Sequence, residues 1–275
     1  MSGSAHNINE LAAEKAFTKQ SGIFDGIYSS NPIIQYKRQR VRDHVQQWLK
    51  PGSKILELNS GTGDDAIWFA QHGHHVHATD ISKGMQDKLL EKVHQNDVGS
   101  KITSELCSFT GLQHLLHKDP YDLIFSNFAG LNCTGDLDKV LHSLPPLLKP
   151  GGFVTLVILP KFCLWESMMF LKGEFKTAFR RFFSSRGAKA QIEGESFTCW
   201  YYNPSYIIKN MKDSFDILSV EGLCTIVPPS YLENFPAKRP SLFNRLKEIE
   251  DKWKTKWPWK NMGDYYIISL KKRVK

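Results

Sequence analysis

The stretch from Ile55 to Asp80 constrains this chain more than any other. Ile55–Asn59 (Ile-Leu-Glu-Leu-Asn) reads as a short buried strand and runs into Ser60-Gly61-Thr62-Gly63, a glycine-bearing turn. Asp64–Gln71 then reads as a helix, with Asp64 and Asp65 in its first turn and Gly73 just past its end, as helix termini prefer. Val76–Asp80 is a second strand ending in an acid. Glycines let the backbone turn tightly and approach a ligand, and the helix start presents free N–H groups and the positive end of its dipole. An acid closing the second strand can accept from both hydroxyls of a ribose. The unit therefore predicts a nucleoside-bearing ligand and leaves open which one, since Gly61-x-Gly63-x-x-Ala66 also fits part of the dinucleotide fingerprint.

The alternation continues. Gly84–His94 reads as a helix, Ile102–Cys107 as a third strand and Tyr121–Asn127 as a fourth. Asp136–Leu144 is a helix stopped by Pro145-Pro146, and Phe153–Leu159 is a fifth strand. Strands separated by helical patterns imply βαβ units, a parallel sheet and helices on both faces. Ahead of them, Ile34, Val41, Val45, Trp48 and Leu49 fall at helical spacing in Ile33–Leu49, between Pro32 and Pro51-Gly52, which predicts an amphipathic helix. Phe215–Leu223 and Asp264–Leu270 close the chain as an antiparallel hairpin at the sheet edge. The expected fold is α/β with seven strands. It is expected to be one domain, with 1–52 a helical cap, 53–160 the ligand-binding core, 161–213 an insertion and 214–275 the closing strands.

Composition narrows the class. Hydrophobic residues at 41% and charged residues at 23% suit a globular core. The start, Met1-Ser-Gly-Ser-Ala-His-Asn, lacks the basic region and apolar run of a secretory signal. Phe153–Leu159 is far short of the roughly 20 residues that cross a bilayer. Cys107, Cys133, Cys163, Cys199 and Cys224 lie far apart without a C-x-x-C pair, which argues against a zinc knuckle or disulfide framework and fits a reducing, cytoplasmic setting. His72, His74, His75 and His77 cluster without acidic or thiol partners at ligand spacing, so no metal site is expected. The formal net charge of +8 gathers in Lys161–Lys189 and Lys252–Lys275. That is either solvated surface or a face for nucleic acid, anionic lipid or an acidic substrate.

Four stretches together resemble class I S-adenosylmethionine (SAM)-dependent methyltransferases, in particular the type 11 group that includes ubiquinone/menaquinone-biosynthesis enzymes. They are Leu56-Glu57-Leu58-Asn59-Ser60-Gly61-Thr62-Gly63, Ala78-Thr79-Asp80-Ile81-Ser82, Tyr121 through Asn132, and Leu147-Leu148-Lys149-Pro150-Gly151-Gly152-Phe153. The resemblance covers about residues 15–160 and implies a Rossmann-like sheet with SAM as cofactor and S-adenosylhomocysteine as product. It implies that Glu57, Gly61 and Gly63 hold the methionine end, that Asp80 holds the ribose, and that Ile81 and Phe109 cover the adenine. Asn127 and Phe128 would sit near the transferred methyl, and Tyr28 would fold over the cofactor. Two positions depart from the family: Asn59 replaces its first glycine, and Ser108 stands where relatives often carry an Asp for the adenine amino group. Asn tolerates unusual backbone angles better than most residues.

Methyl transfer needs alignment and water exclusion more than a catalytic constellation, so no catalytic residue is assigned. His142, Tyr201 and Tyr202 are the base candidates. The insertion is expected to fold as two helical pieces divided at Gly173. Phe162, Trp165, Met168 and Met169 share a side of the first; Phe175, Phe179, Phe182 and Phe183 share a side of the second, flanked by Lys176 and Arg180. They form either a lid over an apolar acceptor, a surface touching anionic lipid, or ordinary amphipathic helices packed on the domain. Trp200-Tyr201-Tyr202 is a candidate wall for the acceptor. Ser126-Asn127-Phe128-Ala129 lacks the Asn/Asp-Pro-Pro-aromatic motif of base-amine methyltransferases. The expected acceptor is a small molecule or lipid intermediate, with no stable nucleic-acid partner and the oligomeric state left open. Three alternatives stand beside this: an RNA or protein methyltransferase using the basic surface, an NAD(P)-dependent oxidoreductase, and a non-catalytic SAM-binding protein.

Overall fold

The computed structural model describes residues 5–182 and 186–274. Seven strands form one sheet: β1 (Lys54–Leu58), β2 (His75–Asp80), β3 (Ile102–Leu106), β4 (Tyr121–Ser126), β5 (Leu148–Ile158), β8 (Phe215–Leu223) and β9 (Tyr265–Lys272). Their spatial order is β3-β2-β1-β4-β5-β9-β8. The first five run parallel, while β9 pairs antiparallel with both β5 and β8. The expected closing pair is present, with β9 inside and β8 at the edge. Burial explains this order: Tyr266–Leu270 is buried throughout, whereas Asp216 and Ile217 on β8 are exposed.

Helices cover both faces. On one, Leu58, Ile124, Leu156 and Ile268 join the packed core with Val140 and Leu141 of α5 (Leu137–Ser143). On the other, their sequence neighbours Phe125, Val157 and Ile267 pack with Phe69 of α3 (Asp64–Gln71) and Leu89 of α4 (Lys83–Gln95). Adjacent strand residues point to opposite faces, so near-continuous apolar runs are what a sheet buried on both sides requires. The chain reverses its direction of travel across the sheet between β1 and β4, and such switch points open a crevice at the carboxyl ends of the strands.

Two helices stand before the sheet. In α2 (Pro32–Gln46), Asn31 caps the start by accepting from the N–H groups of Ile33 and Ile34, with Pro32 in the first turn. Ahead of it, α1 (Ala5–Ser29) spans 25 residues; it lies within the helical cap expected over 1–52, although the sequence marked no separate helix there.

The insertion holds α6 (Leu164–Met168), α7 (Phe175–Phe179) and α8 (Pro204–Met211), with Gly173 at φ +77° dividing the first two. Phe170 contacts Phe175 and Phe179 edge-on, and Phe179 lies near Phe182. All four rings keep more than a third of their surface exposed; Phe183 lies outside the described residues. An unforeseen second sheet follows, the hairpin of β6 (Ala188–Ile192) and β7 (Glu195–Cys199). Two further helices, α9 (Phe235–Lys238) and α10 (Pro240–Trp253), fill the connection between β8 and β9.

Candidate functional site

The turn after β1 holds its shape through Asn59. This residue adopts φ +48°, in the left-handed region that Asn tolerates better than most residues. Its side-chain amide donates to the Asn127 carbonyl (3.0 Å), and its oxygen accepts from the Ser126 hydroxyl (2.6 Å). The departure from glycine thus ties the β1 turn to the end of β4. Gly130 makes room for it, since a Cβ there would lie 2.3 Å from the Asn59 side chain. Phe128 and Ala129 are also left-handed, at φ +49° and +61°. Such strain gathers at sites the surrounding structure fixes.

Asp80 closes β2. One carboxylate oxygen accepts from the Gly61 N–H (2.9 Å), the other from the Ser82 N–H (2.8 Å). Burial raises its pKa, against the pull of these backbone donors. The Ile81 N–H also bonds this carboxylate; with two lone pairs on each oxygen, acceptor capacity remains for a ligand.

Over this crevice lies α1. Glu10, Ala13, Glu14 and Phe17 recur at helical spacing and face inward with Phe24. Opposite them are Asn59, Gly61, Asp80, Ile81, Ser82, Met85, Ser108, Phe109, Asn127, Phe128, Gly130 and Cys133, around a cavity of about 110 Å³. The helix is anchored near both ends. Asn9 bonds the carbonyls of Cys133 and Thr198 and the Thr198 N–H. Asp25 accepts from the Thr62 hydroxyl (2.5 Å) and from Lys92 (2.9 Å).

Three residues that the sequence placed at the cofactor lie beside the cavity rather than on its wall. Glu57 is 2% exposed and sits beneath the turn, near Asp65. Burial, then the Asp65 charge, raises its pKa, while Arg38 and Arg42 pull the other way. Among the described residues its Oε2 has no hydrogen-bond partner. Gly63 starts α3 at φ +82°, where a Cβ would strike Leu89 at 2.7 Å; its role in the geometry is close helix packing. Tyr28 packs at a tilt against Phe24, with centroids 4.4 Å apart.

Beneath the turn, Asp65 accepts from Arg38 (3.0 Å), Arg42 (2.9 Å) and the Asn127 amide (2.8 Å). Burial opposes its charge, but the two guanidiniums outweigh that and lower its pKa. Asn127 is therefore fixed, and its oxygen accepts from the Phe128 N–H (2.8 Å). Arg38 lies 4.8 Å above the Phe128 ring, and Phe128 meets Tyr265 edge-on at 6.2 Å.

None of the three base candidates lines the cavity. His142 is exposed on the last turn of α5. The Tyr202 hydroxyl donates to the Thr134 carbonyl (2.6 Å), and burial pushes it well above the usual phenol range. Burial pushes Tyr201 up to about 12.

Residues 55–152 match the family described as "Methyltransferase domain". Phosphoethanolamine N-methyltransferase 2 of Caenorhabditis elegans is 24% identical over 179 residues, 65% of this chain and 34% of that protein. Ubiquinone/menaquinone biosynthesis C-methyltransferase UbiE of Ralstonia pickettii is 24% identical over 182 residues, 61% of this chain and 70% of that protein. This chain thus spans about a third of the nematode relative. The structure of Burkholderia thailandensis 1,6-didemethyltoxoflavin-N1-methyltransferase, solved with its 1,6-didemethyltoxoflavin and S-adenosylhomocysteine, superposes with a TM-score of 0.59 at 11% identity. That superposition covers 100% of this chain and 93% of the other.

Proposed function

We propose, on the premise that residues 55–152 form a methyltransferase domain of class I fold, that this chain binds SAM beneath α1 and methylates a small-molecule acceptor. One observation carries the choice of cofactor. Among the described residues, the cavity wall holds three carboxylates, Glu10, Glu14 and Asp80, and no Lys, Arg or His. Such a wall suits a ligand bringing positive charge and several hydrogen-bond donors, as a sulfonium, ribose hydroxyls and an amino group do. It opposes the pyrophosphate of a dinucleotide, whose charge would meet three acids without a counterion.

Bound there, SAM would supply a methyl carbon already activated by its sulfonium. The residues present fit it. Asp80 offers its remaining lone pairs to ribose hydroxyls, and Ile81 and Phe109 offer two apolar surfaces to a base. Asn59, Gly61 and Asn127 stand at the β1–β4 switch point, where the methionine end would lie, and Phe128 closes the far side. The chain's own contribution is alignment and exclusion of water. No base is needed unless the acceptor is protonated at working pH, and the tyrosines that titrate high are poor ones.

Calorimetric titration with SAM, S-adenosylhomocysteine and NADH, repeated on Asp80→Ala, tests this. We expect the first two to bind the parent chain, NADH not to bind, and the variant to lose at least ~10-fold in affinity. Binding of NADH alone would replace the reading by an oxidoreductase.

A further inference from the structure

We infer that Glu10, carried by α1, is the acid that recognises the adenine amino group, in place of the carboxylate that Ser108 lacks. The inference rests on SAM being the ligand. Ser108 follows β3 and N-caps the 3-10 turn Phe109–His114, its hydroxyl accepting from the Thr110 N–H. That same hydroxyl donates to Glu10 Oε2 at 2.7 Å, and the Thr110 hydroxyl donates to the same oxygen at 2.8 Å. The Glu10 carboxylate therefore occupies the space beside the end of β3 and is 6% exposed.

Its two oxygens differ. Oε2 holds both hydroxyls, and among the described residues no hydrogen bond reaches Oε1. Glu10 lines the cavity together with Ser108, Phe109 and Ile81, so a base held between Ile81 and Phe109 would present its edge to this carboxylate. A carboxylate is an acceptor only. It discriminates for an exocyclic amino group and against a keto oxygen, whose lone pairs would face its own. The neighbouring Asn9 sets the position, since its three hydrogen bonds to Cys133 and Thr198 pin this turn of α1 to β7. Reading of the base thus passes from a strand end to a helix, and the donor is recognised only while α1 is docked.

The test compares S-adenosylhomocysteine with S-inosylhomocysteine, which has a keto oxygen in place of the amino group, by calorimetry. The parent chain, Glu10→Gln and Glu10→Ala/Ser108→Asp are titrated, with thermal unfolding run on each to verify folding. We expect the parent to prefer the adenine ligand by ~10- to 100-fold, the range of hydrogen bonds to charged groups. Glu10→Gln should lose most of that preference, because its amide can donate to the keto oxygen. The double variant should regain it, since the acid returns to the strand end. Unchanged preference in Glu10→Gln would overturn the role of Glu10 while leaving SAM as the ligand. Failure of the parent to bind either ligand would overturn both readings.

Discussion

At the scale of single residues, the two departures from the family pattern are compensated by different neighbours. Asn59 keeps the left-handed turn and adds two hydrogen bonds to β4, at the cost of requiring a glycine at 130. Gly130→Ala is expected to destabilise the fold by ~1–3 kcal/mol, typical of overpacking. Asn59→Gly should cost ~1–2 kcal/mol for two lost bonds offset by easier backbone geometry. Combined, the two should cost clearly less than their sum, because Asn59→Gly removes the side chain that the added Cβ at 130 would strike; a denaturant-based double-mutant cycle reads this coupling. The turn, Asp80 and its partners were legible in sequence because local chain geometry positions them. Glu10 and Glu14 were not, because their role depends on where a separate helix docks, and no local spacing records that.

At the scale of elements, α1 is the piece that makes the crevice a closed site. The cavity beneath it, about 110 Å³, is small beside the roughly 300–1,000 Å³ of sites that take ligands of this size, so α1 is expected to shift if the cofactor binds there as proposed. Its anchors combine the polar bonds of Asn9 and Asp25 with an apolar patch in which Ala13 and Ala16 pack with Cys133 and Phe197, and segments that move in binding are drawn from the less stable parts of a structure. Lys15 and Lys19 meet Glu195 at the start of β7, outside the cavity wall. Bound S-adenosylhomocysteine is expected to slow tryptic cleavage at these two lysines severalfold, read by mass spectrometry of timed digests, and Asn9→Ala to speed it. Cleavage indifferent to ligand would mean that entry does not pass through α1. The sequence placed a helical cap over 1–52 without marking this helix, because its inward positions mix acids with apolar residues, which blurs the stripe that marks a helix packed on a core.

At the scale of the whole molecule, buried charge pairs hold α2, the closing strands and the insertion together. Lys37 and Arg181 meet at Asp264, and Arg181 also pairs with Glu166. Glu221 on β8 accepts from Arg40 and His44 of α2. Burial opposes the Glu221 charge, but the His44 hydrogen bond and the nearby cations lower its pKa from 4.5 to about 2. With the folded value below the unfolded one, its stabilisation is present above pH 4.5 and is lost as pH falls toward 2. That shift is worth up to ~3 kcal/mol. Glu221→Gln is therefore expected to lower stability at neutral pH and to flatten the loss between pH 4.5 and 2, as read by urea titrations at stepped pH.

The sequence by itself determined the alternating core from β1 to β5, the glycine turn after β1 and the acid that ends β2, and the two closing strands. Each is written in short-range periodicity and in turn residues that act within a few positions. Only the tertiary structure decided that β9 lies inside β8, that Asn59 bridges to β4, and that α1 supplies two of the three acids on the cavity wall. These are set by burial and by pairings such as Glu10 with Ser108, 98 positions apart, for which a local pattern carries no mark.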